Sequence, residues 1–223
     1  MLYQDRTHAG RVLAAKLDQF SNRTDVLVLA LPRGGVPVAF EIAKRLNLPL
    51  DVFVVRKLGV PGQEELAMGA IASGGARVIN YGVVSALKIP ESVIDEVAER
   101  EELELKRREA SYRSHREPHA LDTMEVILVD DGLATGASMK AAVNAVRMLK
   151  AKKIYVAVPV AERDTVLEFS VLVDQIFCAE TPTPFQGVGQ WYKNFDQTTD
   201  EQVTDYLRRA ENLSPHTVPS VTY

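Results

Sequence analysis

The chain has 223 residues, with 26 Lys+Arg against 30 Asp+Glu and a formal net charge of -4. Hydrophobic residues at 46% and charged residues at 25% are ordinary globular composition, which excludes disorder and a collagen-like repeat. The acidic balance argues against a protein that coats nucleic acid, yet leaves room for a local basic pocket around a small phosphorylated ligand.

At roughly 150 residues per domain the length fits a single domain, 1–223, carrying an insertion. The opening MLYQDRTHAGRVL lacks the apolar run of a secretory signal. The longest purely apolar stretch, 26–31, is far short of the ~20 residues that span a bilayer. The expectation is a cytoplasmic protein with no membrane partner and no nucleic-acid partner. Two sequons, Asn22-Arg23-Thr24 and Asn212-Leu213-Ser214, carry no meaning without export.

Residues 26–31 read as a continuous apolar strand, followed by Gly34-Gly35 and a helix through Phe40, Ile42, Ala43 and Leu46. Residues 51–55 are the next strand. The stretch 57–80 is Gly-rich and broken, a flexible loop in which 66–72 and 77–79 could form an antiparallel ribbon. Gly59, Pro61 and Gly62 suit a lid that closes over a reaction and reopens. Glu64 and Glu65 sit in it, either to orient a substrate amine or simply as solvated carboxylates. A helical insertion, 81–120, contains a long charged helix over 90–117 that opens on Pro90-Glu91. Its basic second half, with Lys106, Arg107, Arg108 and Arg113, complements the helix dipole. A third strand over 125–130 runs into a Gly-rich turn and a helix carrying Ala142, Val143, Val146 and Leu149. Strands at 154–158 and 173–178 follow, then an aromatic cluster from Pro182 and a helix over about 200–209. Near-continuous apolar strands separated by helices predict an α/β fold with an open, doubly wound, mainly parallel sheet.

The feature richest in chemistry is VILVDDGLATGAS at 126–138. Two carboxylates close a buried strand, and a small-residue turn enters a helix. Such a turn can present backbone N–H groups to an anion, with the helix N-terminus adding a favourable field. A phosphate in the loop, with Asp130 and Asp131 accepting from hydroxyls upstream, describes a ribose 5-phosphate. The plain alternative is a tight strand-to-helix turn capped by Thr135.

These thirteen residues resemble the 5-phosphoribosyl 1-pyrophosphate (PRPP) signature of type I phosphoribosyltransferases. Other pieces fall in the family's order. Leu31-Pro32-Arg33-Gly34-Gly35 resembles its pyrophosphate loop, and Arg56-Lys57 ends the strand where its mobile loop begins. Phe185-Gln-Gly-Val-Gly-Gln-Trp-Tyr192 resembles its C-terminal hood, here 181–223, over a Rossmann-like core of about 5–180. More narrowly, LPRGGVPVA, RKLGVPGQEELAMGAI, VDDGLATGAS and VGQWYKNF resemble a bacterial branch of predicted phosphoribosyltransferases.

The resemblance implies transfer of ribose 5-phosphate from PRPP to a nitrogen acceptor, as in nucleotide salvage, with release of pyrophosphate. It implies catalytic roles for Asp130, Asp131, Arg33 and Lys57. It places the 5-phosphate on Ala134, Thr135, Gly136, Ala137 and Ser138, and pyrophosphate on Arg33, Gly34, Gly35, Arg56 and Lys57. Phe185, Val188, Trp191 and Tyr192 would meet the acceptor, although aromatic packing explains the last two equally. Magnesium would arrive with the substrate near Asp130 and Asp131 rather than in a protein cage. The partners implied are PRPP and a small nitrogen acceptor, and a homodimer is left open. A PRPP- or nucleotide-binding regulator, or a hydrolase or phosphorylase of a ribosyl phosphate, would use the same parts.

Two departures stand out. Gly132 occupies a spacer position that is usually aliphatic, and Ala134 stands where 6-oxopurine members carry an acid. Other chemistry is weak: Gly187-Val-Gly189 lacks a third glycine, and Pro118 breaks the helix that would align His115 with His119 as metal ligands. The single cysteine, Cys178, beside Ile176 and Phe177, reads as a small core residue.

Overall fold

The strand Val26–Ala30 (β1) is apolar throughout because both of its faces are covered. Val26, Val28 and Ala30 point into one core, while Leu27 and Leu29 point into another. The same division holds along Glu125–Val129 (β6), where Ile127 and Val129 oppose Val126 and Leu128, and along Lys153–Val160 (β7). In this computed structural model, which describes residues 2–113 and 119–213, these three are the centre of a five-stranded sheet. Leu50–Val52 (β2) and Gln175–Glu180 (β8) form its edges, in the order β2-β1-β6-β7-β8, and every pairing is parallel. The expected doubly wound α/β sheet is present.

Helices Arg6–Ala14 (α1) and Gly35–Leu46 (α2) contribute Leu13, Phe40, Ile42 and Leu46 to the first core. Ala137–Met148 (α5) and Arg163–Leu172 (α6) contribute Met139, Val143, Val146 and Phe169 to the second. The chain leaves β1 through α2 to one edge, whereas β6 leaves through α5 toward the other. The winding reverses between β1 and β6, which makes their carboxyl ends the switch point of the sheet. Ligands of open α/β sheets bind at that point.

The predicted strand over 51–55 is divided. It stays in the parallel sheet through Val52, and the next strand, Val55–Val60 (β3), belongs to a separate antiparallel sheet with Gln63–Ala72 (β4) and Ala76–Ile79 (β5). At the break, the Phe53 N–H donates to Ala30 O and the Val54 N–H to Ser73 Oγ. The antiparallel ribbon expected over 66–72 and 77–79 is present as β4 and β5, and β3 joins it with register shifts around Gly59, so 57–80 is mostly strand rather than a flexible loop. Leu58, Met68 and Ile71 anchor it in the first core, beneath Ile94, Val97 and Leu105 of Glu91–Arg113 (α4), which follows Tyr81–Leu87 (α3).

Helix α4 is clamped at its end. Arg113 Nε lies 3.1 Å from Asp51 Oδ1 on β2, and Arg113 also donates to Glu109 and to Val52 O. The rest of the helix expected over 90–117, together with His115, Pro118 and the sequon residue Ser214, lies outside the described residues. A last helix, Asp200–Glu211 (α7), opens on a capping box of Thr199 and Gln202 and packs Val203 and Leu207 into the first core. Cys178 is half-buried, and burial pushes its thiol up to about 11. No helix among the described residues is long and apolar enough to cross a membrane.

Candidate active site

Asp130 and Asp131 follow β6 directly, at the switch point. The Asp131 N–H donates to Asp130 Oδ1 at 2.8 Å, fixing the first carboxylate against its own turn. Burial, reinforced by the neighbouring Asp131 charge, pushes Asp130 well above the ordinary carboxylate value. Burial also pushes Asp131 up, opposed by the guanidinium of Arg6. Arg6 Nε meets Asp131 Oδ2 at 2.7 Å. Nothing in the local sequence announces that contact, because it joins the first helix to a turn 125 residues away.

The loop after β1 lies against the same turn. A Cβ on Gly34 would stand 2.1 Å from Asp131 Oδ2, and one on Gly35 2.5 Å from Val129 O. These glycines are therefore spacers that let two loops touch. The Pro32–Arg33 peptide is cis. Arg33 Nη1 lies 3.7 Å from Asp200 Oδ1, which also accepts the Tyr112 hydroxyl at 2.7 Å.

Beyond the carboxylates the loop is pinned on its far side. The Leu133 N–H donates to Val160 O, and Thr165 Oγ1 donates to Ala134 O at 2.6 Å. Gly136 takes φ 68°, and a Cβ there would fall 2.6 Å from Phe169 Cε2. Both the turn and the approach demand glycine. Helix α5 starts at Ala137 with Gly136 as its N-cap and no side-chain cap, so the alternative of a Thr135 cap does not hold. Ala134, Thr135, Ala137 and Ser138 are exposed, and the first N–H groups of α5 have no intrahelical acceptor. That end of the helix can receive an anion.

Arg56 and Lys57 were both expected at pyrophosphate, but as successive residues of β3 they project to opposite faces. Arg56 turns to α4, where Nε and Nη2 both reach Glu101 Oε2, at 2.9 and 2.6 Å. Lys57 Nζ turns away to Glu65, contacting its carbonyl at 3.1 Å and Oε2 at 3.2 Å. The two cations are not brought to one anion in this arrangement.

In the C-terminal segment, half-buried Phe185, Val188 and Trp191 pack around buried Val160, Tyr3 and Tyr192. Val188 explains the unusual Gly132: a Cβ there would lie 2.5 Å from Val188 Cγ1, so Val188 fills the space of the missing side chain. Tyr192 differs from the expectation of an acceptor-stacking ring. It is 6% exposed, its ring packs on Tyr3 and Phe195, and its hydroxyl donates to Asp131 O at 2.6 Å. It braces the acidic turn from behind.

Among the described residues no cluster of three or more His, Cys, Asp or Glu could cage a metal. Asp130 and Asp131, with one oxygen of Asp131 engaged by Arg6, offer the sparse carboxylate set through which magnesium binds together with substrate oxygens. The donor set fits magnesium carried in on a diphosphate.

Paired carboxylates and an uncapped helix N-terminus stand together at the switch point, the place where open α/β sheets receive ligands. The family model described as phosphoribosyl transferase domain matches residues 3–192, and the chain belongs to that family. It is 48% identical over 209 residues to the Mycobacterium tuberculosis (strain H37Rv) protein named "Putative phosphoribosyl transferase Rv0571c", a match covering 94% of this chain and 47% of that protein. The Mycobacterium tuberculosis CDC 1551 protein with the corresponding name matches equally, so the chain spans about half the length of these curated relatives. The crystal structure of TT1426 from Thermus thermophilus is 38% identical, with a TM-score of 0.82, over 94% of this chain and 99% of that one.

Proposed function

We propose that the chain transfers ribose 5-phosphate from PRPP to a nitrogen acceptor and releases pyrophosphate. The observation that carries this reading is the contact of two loops at the switch point, with Gly34 packed onto Asp131 and α5 opening a few residues beyond. An anion at each end and a diol between them match the three polar parts of PRPP.

The 5-phosphate would sit on the N–H groups of Ala137 and Ser138, beside Thr135 and the Gly136 turn. Asp130 and Asp131 would accept from the 2- and 3-hydroxyls, holding the ribose as C1 becomes cationic. The bond from C1 to the diphosphate oxygen would break with its electron pair leaving on pyrophosphate, the bond from C1 to the acceptor nitrogen would form, and the proton of that nitrogen would pass to water or to the departing pyrophosphate. Asp130 and Asp131 would help hold magnesium arriving with the substrate, and the ion would supply charge neutralisation for the leaving diphosphate. Arg33 and the Gly34 amide would stabilise the same charge, the largest electrostatic demand of the step, whereas the Gly35 N–H is already given to Leu31 O at 3.1 Å.

Lys57 is the second cation of this reading and Arg56 is not. The Lys57 partner, Glu65, is fully exposed, and water screens such a pair, so Lys57 is readily released to an anion. Arg56 is held through two nitrogens by a Glu101 carboxylate that is 17% exposed. Phe185, Val188 and Trp191 would wall the acceptor. With a methyl at Ala134, proton abstraction by a carboxylate there is not available, which disfavours 6-oxopurine acceptors.

The test incubates the protein with PRPP, magnesium and a panel of nucleobases and amines, read by mass spectrometry alongside thermal melts. Expected are a PRPP-dependent rise in Tm and acceptor-dependent appearance of pyrophosphate with a ribosylated product. Binding without pyrophosphate release would support a regulator, and release without an acceptor would support a hydrolase. No Tm response to PRPP would overturn the substrate assignment.

A further inference from the structure

Arg6 belongs to no motif, and it stands where a helix least favours it. Asp5 caps α1 by accepting the His8 N–H, which makes Arg6 the first helical residue, and no acidic residue shares that first turn. A cation there opposes the helix dipole. What holds it is external. Nε meets Asp131 Oδ2 at 2.7 Å, Nη1 donates to Asp196 O at 2.7 Å, and the guanidinium lies 3.9 Å over the Phe195 ring. Its side chain is 11% exposed. Three contacts from two distant segments fix one rotamer, so the carboxylate it touches is fixed as well.

The contact is single-pointed. Arg6 takes Oδ2, whereas among the described residues no hydrogen bond or ion pair engages Asp131 Oδ1. The turn behind is braced by the Tyr192 hydroxyl on Asp131 O, and Gly34 closes the side of Oδ2. The Asp131 side chain keeps 15% exposure, and these contacts leave Oδ1 unengaged among the described residues. We infer that Arg6 is a positioning residue, which holds Asp131 by one oxygen and presents the other to a ribose hydroxyl. The inference rests on the ribose reading proposed above and adds to it a residue outside the signature. Arg6 thereby sets how sharply the site distinguishes a vicinal diol from a deoxy sugar.

The experiment is calorimetric titration, with magnesium, of wild type, Arg6→Met and Arg6→Lys. The probes are ribose 5-phosphate, its 2-deoxy and 3-deoxy counterparts, and pyrophosphate. Wild type should prefer ribose 5-phosphate to both deoxy sugars. Arg6→Met should weaken ribose 5-phosphate about tenfold, the scale of one charge-assisted hydrogen bond, and weaken at least one deoxy sugar much less. Pyrophosphate binding should be unchanged, and Arg6→Lys should restore part of the preference. A merely structural Arg6 would weaken all sugars equally and leave their ratios intact, which would overturn the inference. If Arg6→Met does not fold, Arg6→Lys decides, since its shorter donor still misplaces the carboxylate and must lower the ratio. A wild type that binds none of the sugars overturns the ribose reading itself, whereas wild-type preference kept in both variants overturns only the role of Arg6.

Discussion

Asp130 carries a charge its surroundings oppose, and that opposition has a measurable sign. Burial and the adjacent Asp131 raise its value in the folded chain above the ordinary 3.8. A raised acid favours folding fully below the unfolded value, and that stability is lost as pH rises toward the folded value. Asp130→Asn removes the loss. In magnesium-free buffer the variant should therefore melt above wild type at pH 7, with the gap closing as pH falls to about 4. The same substitution should abolish binding of PRPP. Thermal melts across pH check the first outcome and calorimetry the second; a variant less stable than wild type at pH 7 would show that the carboxylate supports the fold. The paired acids were legible in the sequence because they interrupt an apolar run at a strand end. Gly132 was legible only as an oddity, since its partner Val188 lies far along the chain and no spacing rule joins them.

Strands with two covered faces announce themselves as unbroken apolar runs, which is why β1, β6 and β7 could be read directly. The antiparallel sheet could not be read so well. The first four residues of β4, Gln63 to Leu66, are exposed and include two carboxylates, and only its last five are buried. Nor did the sequence reveal what α4 does, because its apolar residues are sparse among charges on every side. Its function is carried by those charges. Glu101 holds Arg56, Tyr112 holds Asp200 beside Arg33, and Arg113 docks the helix on β2 through Asp51. Arg113 and Asp51 have side chains only 8% and 7% exposed, so removing one leaves a buried charge short of its partner. Breaking such a pair costs about 3–5 kcal/mol, and Glu109 retains part of the compensation here. Asp51→Ala should cost on the order of 3 kcal/mol, or roughly 6–12 °C in Tm for a chain of this size. A loss below about 1 kcal/mol in denaturant titration would mean that Glu109 alone suffices.

At the scale of the whole molecule, the first described residues are sewn to the segment that precedes α7, beneath the site. The Tyr3 N–H donates to Trp191 O, the Lys193 N–H to Tyr3 O and the Asn194 N–H to Gln4 O. The Tyr3 hydroxyl donates to Pro159 O at 2.9 Å, one residue before the Val160 carbonyl that accepts from Leu133. The seam thus touches the acidic turn through Tyr192, the turn at Leu133 through Val160, and the C-terminal aromatic cluster through Trp191. No local pattern could announce it, because its partners lie nearly 190 residues apart and pair through backbone atoms. Tyr3 is fully buried, and deleting a large buried aromatic costs about 3–5 kcal/mol. Tyr3→Ala should therefore lower Tm, and its distinguishing effect should be local. Hydrogen exchange at Tyr192, Lys193 and Asn194 should accelerate well beyond that of β1, because these amides lose an ordered neighbour while the central sheet keeps its own. Binding of ribose 5-phosphate should weaken in the same variant, since Tyr192 no longer braces Asp131. Equal acceleration at all sites would mean that the seam opens only with the whole fold, and the site would then owe its geometry to the sheet alone.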